Sequence, residues 1–186
     1  MIYKAQEFTL KNGLKVTLKS PEVSDAQKLL NFIVSVASIT DYILSTPKDF
    51  EGFLKDITKE EKYIDSYKEN KDYLICVYHD GEIIGDCSLA FHRHEKDAHR
   101  ATVGIAVGKE YWGLGIGSLL FEEMIKLAKN EPGIEQIELS VIANNERAKR
   151  LYTKKGFVKV GDIPHQLKLK DGSYLDGENM VLFLNK

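Results

Sequence analysis

No stretch of this 186-residue chain approaches the roughly 18 consecutive apolar residues that read as a membrane-spanning helix. Its opening residues, MIYKAQEFTLKNGLKV, lack the apolar core of a secretory leader. An excess of either charge is missing too. Twenty-six basic side chains face 28 acidic ones, a net charge of −2, so neither nucleic acid nor an anionic membrane is called for as a partner. There are only two cysteines, Cys76 and Cys87, both inside strand-like runs. They are too few for a disulfide framework or a metal centre, and they read as buried free thiols of a reducing compartment. A cytoplasmic location is the expectation. Internal repeats, low-complexity tracts and linkers are absent as well. With 43% hydrophobic residues, residues 1–186 read as one domain with a substantial core.

What is present is an alternation of strand-like and helix-like periods. Leu14, Val16 and Leu18 share one face of a first strand over 14–19. Ser24 and Gln27 form a capping box for a helix over 25–38. Thr46-Pro47 starts a short helix. A second box, Thr58 with Glu61, opens one over 59–69 that reads as a surface helix with a solvated acidic face or, alternatively, as one wall of a substrate cleft in which acids such as Glu60 and Glu61 attract an amine. Strands follow over 73–78 and 83–91, joined by an Asp80-Gly81 hairpin turn, and a polar histidine-rich loop leads to a strand ending near Val107. A helix over 116–130 stops at Pro132-Gly133, and a strand over 134–142 follows. The length of that crossover makes the strands before and after it parallel neighbours. A short helix over 145–154 and strands over 157–160, 167–170 and 180–184 complete an α/β fold on a mixed sheet. The last strand is apolar enough to pair with a second copy, which makes a homodimer an expectation.

Two segments carry chemistry. The first is ATVGIAVGKEYWGLGIG, residues 101–117: a β-branched run, a tight loop with glycines at 113, 115 and 117, then a helix. Backbone N–H groups and the positive end of a helix dipole converge there, which suits a phosphate. Glycine permits φ > 0 and lets a phosphate approach without a Cβ in the way. A Rossmann turn does not fit, because Ser118 stands where its third glycine belongs and the next strand ends in Asn144-Asn145 rather than an acid. A P-loop lacks its Gly-Lys-Ser/Thr. The second segment is Asn145 to Phe157, NxxAxxLYxxxGF. Ala148 and Tyr152, four apart, share a helix face.

Together the two segments resemble the GCN5-related N-acetyltransferase family, in element order over roughly residues 72–160. The resemblance implies a mixed, mostly antiparallel sheet with one splayed parallel pair, flanked by helices. It implies acetyl-CoA as cosubstrate and direct acetyl transfer to a primary amine of a small molecule, polyamine or peptide, with no metal. On the matching positions it assigns the pyrophosphate to Gly113, Leu114, Gly115, Ile116 and Gly117, with Trp112 and Ser118 flanking them. The pantetheine falls to the backbone of Ile105, Ala106 and Val107, and a cofactor contact to Asn145. Tyr152 becomes the acid for the departing sulfur. The family often has Gln or Arg where Trp112 stands, so a side-chain donor near the phosphates is lost while the backbone donors remain. For the base, a water relay ranks ahead of His99. A non-catalytic acyl-CoA sensor of the same fold is the alternative.

Overall fold

A computed structural model describes residues 1–184. Eight strands form one sheet in the order β1-β2-β3-β4-β5-β6-β8-β7. They are β1 Gln6–Thr9, β2 Lys15–Lys19, β3 Tyr73–His79, β4 Glu82–Phe91, β5 Arg100–Val107, β6 Gln136–Ile142, β7 Val158–Lys168 and β8 Tyr174–Phe183. The helices are α1 Ala26–Ile39, α2 Glu51–Lys55, α3 Thr58–Glu69, α4 Ile116–Asn130 and α5 Glu146–Lys154. Among the described residues no helix is long and apolar enough to cross a membrane, and no group of three or more His, Cys, Asp or Glu side chains is placed to hold a metal ion.

The chain forms two compact units. The first is Met1–Ala90 with Gly104–Leu120, the second Phe91–Val103 with Phe121–Lys186. In the first unit, β1, β2, β3 and β4 pair antiparallel in succession. One face of β3, carrying Leu74, Cys76 and Tyr78, is covered by Ala26, Leu29, Phe32 and Val36 of α1 and Ile64 of α3, all buried. That spacing is the apolar stripe of an amphipathic helix laid on alternate residues of a strand. Both cysteines are buried and free.

In the second unit, β5 and β6 run parallel through Arg100↔Gln136, Ala101↔Ile137 and Thr102↔Glu138. The adjacency and direction expected from the crossover are therefore present. β8 lies between β6 and β7, antiparallel to both. This corrects the dimer argument, since a strand hydrogen-bonded on both sides offers no edge to a second copy. β7 and β8 also run longer than the three short strands expected. Two register shifts, at Lys159/Gly161 and Ile163/Leu167, break the pattern of β7 while leaving it paired.

The helix starts differ from the sequence reading. The first capping box uses Glu22 and Asp25 around a 3-10 turn, ahead of α1. At α3 the Thr58 hydroxyl donates to Asp56 at 2.6 Å rather than capping with Glu61. The larger correction concerns Glu60. It is only 3% exposed, because its position four residues before Ile64 puts it on the face that α3 buries.

Candidate active site

In the first unit, β5 ends at Val107 and a 3-10 turn over Lys109–Tyr111 leads into the glycine loop. Trp112 folds back, and its indole N–H donates to the Val107 carbonyl at 2.7 Å. The side chain that stands where the family often has Gln or Arg ties the loop to the end of the strand. Gly113 and Gly115 follow with φ of +80° and +95°, a region costly for any residue with a Cβ. A Cβ at either would meet nothing within 4 Å, so the loop borders open space. Gly117 takes no positive φ and lies in the first turn of α4. The bond from Leu119 N to Gly115 O, 3.0 Å, marks the start of that helix, and the amides before it have no acceptor within the helix. Leu114, Ile116 and Ser118 belong to the same turn of chain. The arrangement is a cradle of backbone donors at a helix N-terminus, with room in front, and the residues present fit a diphosphate.

In the second unit, Asn145 caps α5: its Oδ1 accepts from Ala148 N at 3.2 Å. One turn further on, Tyr152 is buried beside Phe121 and Phe157, with ring centroids 5.2 and 6.1 Å away. Burial pushes its phenol up to about 12, although Arg147 acts in the opposite direction. The phenol thus stays protonated at neutral pH. Its hydroxyl is not among the enclosed, unpartnered side-chain atoms of the described residues.

The family model for the Acetyltransferase (GNAT) family matches residues 40–157. The chain belongs to this family. Over 111 residues it is 29% identical to the L-amino acid N-acetyltransferase AaaT of Escherichia coli, covering 60% of this chain and 67% of that one. Over 80 residues it is 40% identical to an N-alpha-acetyltransferase of Saccharolobus solfataricus, covering 43% and 44%. The solved structure of yncA from Salmonella typhimurium, with its cofactor acetyl-CoA, superposes with a TM-score of 0.78 at 17% identity over 92% of this chain and 95% of that one.

The chain is thus an acetyl-CoA-dependent acyltransferase on the GNAT fold. The first unit holds Ile105, Ala106, Val107 and the run from Trp112 to Ser118; the second holds Asn145 and Tyr152. His99, the ranked side-chain base, precedes β5, and its carbonyl accepts from Glu135 N and Gln136 N at 2.8 and 3.3 Å. His92 lies in the same histidine-rich loop and ranks below His99 in the sequence reading. The ring of His92 lies 3.2 Å from Asp97, 2.9 Å from Thr102 and 3.2 Å from Glu138, while Arg100 clasps Glu138 at 3.2 and 2.6 Å. The parallel register that sets Thr102 opposite Glu138 is what assembles this network.

Proposed function

We propose that this GNAT chain carries the acetyl group of acetyl-CoA directly to a primary amine, with the α-amine of an amino acid or polypeptide as the preferred acceptor. The observation that carries the reading is the left-handed pair Gly113 and Gly115, opening onto free space at the N-terminus of α4. Support for the acceptor comes from the two named relatives, one acting on L-amino acids and one named for the α position. The acetyl-CoA in yncA supports the cosubstrate.

Bound there, acetyl-CoA supplies an acyl carbon activated by a sulfur leaving group. The amides of the Gly113–Gly117 segment hold the diphosphate. The backbone of Ile105, Ala106 and Val107 accepts the pantetheine as an added strand, and an N–H near Ala106 or Val107 stabilises the charge that develops on the acyl oxygen. Tyr152, kept protonated by burial, gives its proton to the sulfur. Asn145 holds the helix that carries Tyr152. The reading takes residues 1–186 as one functional domain in the cytoplasm.

Thermal shift with acetyl-CoA against NAD and ATP tests the first half. Thiol release with a panel of L-amino acids, an Ala-Ala-Ala peptide and spermidine tests the second. Stabilisation by acetyl-CoA with release for at least one α-amine is expected. Stabilisation without release for any amine would replace this reading with the acyl-CoA sensor.

A further inference from the structure

Glu60, Tyr63 and Tyr67 recur at i, i+3 and i+7 along α3, on the side that faces the sheet. The strand face they overlie carries Asp86 and Ser88 of β4. Asp86 pairs in register with Cys76 and Ser88 with Leu74, both members of the core beneath the helices. Gly104 and Ala106 of β5 share that face: a Cβ at Gly104 would lie 3.1 Å from Ser88 Oγ, and Ala106 packs against the same core. All of these residues belong to the first unit.

The polar groups in this place are poorly served by the chain. Asp86 Oδ1 is sealed from solvent and has no hydrogen-bond partner, while the residue as a whole stays partly accessible. Among the described residues no lysine or arginine pairs with Asp86 or Glu60. Burial pushes the Asp86 carboxyl up to about 7, with the Glu60 charge adding to it, and burial alone takes Glu60 to about 7. The Tyr63 and Tyr67 hydroxyls are 3.0 Å apart and their rings meet edge to face, centroids 5.3 Å apart. Tyr63 is 42% exposed and offers a ring face to whatever enters. Two acids without a cation, beside aromatic rings and next to a side-chain-free Gly104, form a receptor lacking one positive charge. An uncompensated buried carboxyl costs stability, and a ligand that supplies a positive charge relieves that cost.

We propose that Asp86, backed by Glu60, receives the ammonium group of the acceptor and takes its proton, with Tyr63 and Tyr67 as the aromatic wall. The proposal rests on the acetyl-transfer reading above. Ala106, on the strand assigned to the pantetheine, shares the face with Asp86, and the Ala106 carbonyl lies 3.3 Å from where a Cβ on neighbouring Gly85 would be. Asp86 removes one proton from the ammonium, freeing the lone pair. The nitrogen then bonds to the acyl carbon as the carbon–sulfur bond breaks. The departing sulfur takes up a proton, and the acylated nitrogen and Asp86 each release one to water. The sum is ammonium plus thioester giving amide, thiol and one proton.

The test compares wild type with Asp86→Asn, Asp86→Glu and Glu60→Gln in the full chain. Amine binding is read by the thermal shift that L-leucine amide and spermidine produce without acetyl-CoA, acetyl-CoA affinity by calorimetry, and turnover by thiol release. Asp86→Asn is expected to lose the amine shift and at least 100-fold in kcat/KM for the amine. It should keep acetyl-CoA affinity within threefold and melt no lower than wild type. Asp86→Glu should recover part of the turnover, and Glu60→Gln should raise the amine KM more than it lowers kcat. An amine shift and turnover unchanged in Asp86→Asn overturn the proposal, and so does a parallel loss of acetyl-CoA affinity, which marks a structural role. A wild type that shows the amine shift but no transfer sinks the acetyl-transfer reading while leaving the ammonium receptor standing.

Discussion

Two sets of strand and helix carboxylates have met opposite fates in this molecule. In the second unit Glu138 is surrounded by partners: Arg100 at 2.6 Å, His92 at 3.2 Å and the Thr102 hydroxyl at 3.4 Å. In the first unit Asp86 and Glu60 have no cation and one fully enclosed oxygen without a hydrogen bond. The residue types are the same; the neighbours differ. A satisfied carboxylate is held in place and has little capacity for a newcomer. An unsatisfied one is poised to gain a partner. Tyr152 differs from both, because its ring is buried while its hydroxyl is not among the fully enclosed unpaired atoms.

The sharpest way to press the contrast is Tyr152→Phe. Removing a proton donor that acts on the reacting atoms is expected to lower turnover by about 10²–10⁴, with acetyl-CoA affinity within a few-fold by calorimetry. Unchanged turnover would take Tyr152 out of the chemistry and leave its hydroxyl as a packing feature.

Next comes the pH dependence of stability. Asp86 and Glu60 bind protons more tightly in the folded chain, rising from 3.8 and 4.5 to about 7 each. A raised folded value means that stability is full below the unfolded values and is lost as pH climbs through about 7. Stability against thermal unfolding should therefore weaken steadily between pH 4 and pH 7. Tyr63, Tyr67 and Cys76 also face this cluster, and their burial raises each of them; Cys87, on the opposite face of β4, is raised by burial as well, so all four stay neutral in this window. Asp86→Asn should flatten the slope. A slope that survives the substitution would assign it to carboxyls elsewhere.

Glu138→Gln probes the satisfied side. Both Glu138 and Arg100 retain contact with solvent, so the expected loss is about 1 kcal/mol of stability by denaturant unfolding, with turnover within a few-fold. If turnover collapsed while stability held, the contrast would invert, and the network of His92 and Glu138 would hold the base. Smallest is Asn145→Ala, which removes the α5 cap and should cost about 1 kcal/mol, read by the same unfolding curves.

Much of the fold was legible because it rests on local patterns. The 116–130 helix appears at the bounds its periodicity set, and the Asn145 cap appears where an asparagine precedes a helical run. The glycine loop could be read because a left-handed backbone restricts the residue type at its own position. Three things escaped. Glu60 stood between a solvated face and a cleft wall, because an acidic helix face looks like surface until the sheet beneath it is known. β8 read as an edge, because strand order in a sheet depends on pairings between distant segments. Asp86 drew no notice, because one aspartate in a strand looks like any other until its partners, or their lack, are counted.

The amino-acid order alone thus determined the elements, the glycine loop with its two left-handed residues, and the position of the capped helix that carries Tyr152. Each follows from backbone preferences and spacings within a few residues. Only the tertiary structure decided which charges are compensated. Whether a carboxylate sits in water, against an arginine or in a closed apolar setting depends on side chains brought together from far along the chain, and over such short distances that difference decides whether the group holds the fold or waits for a ligand.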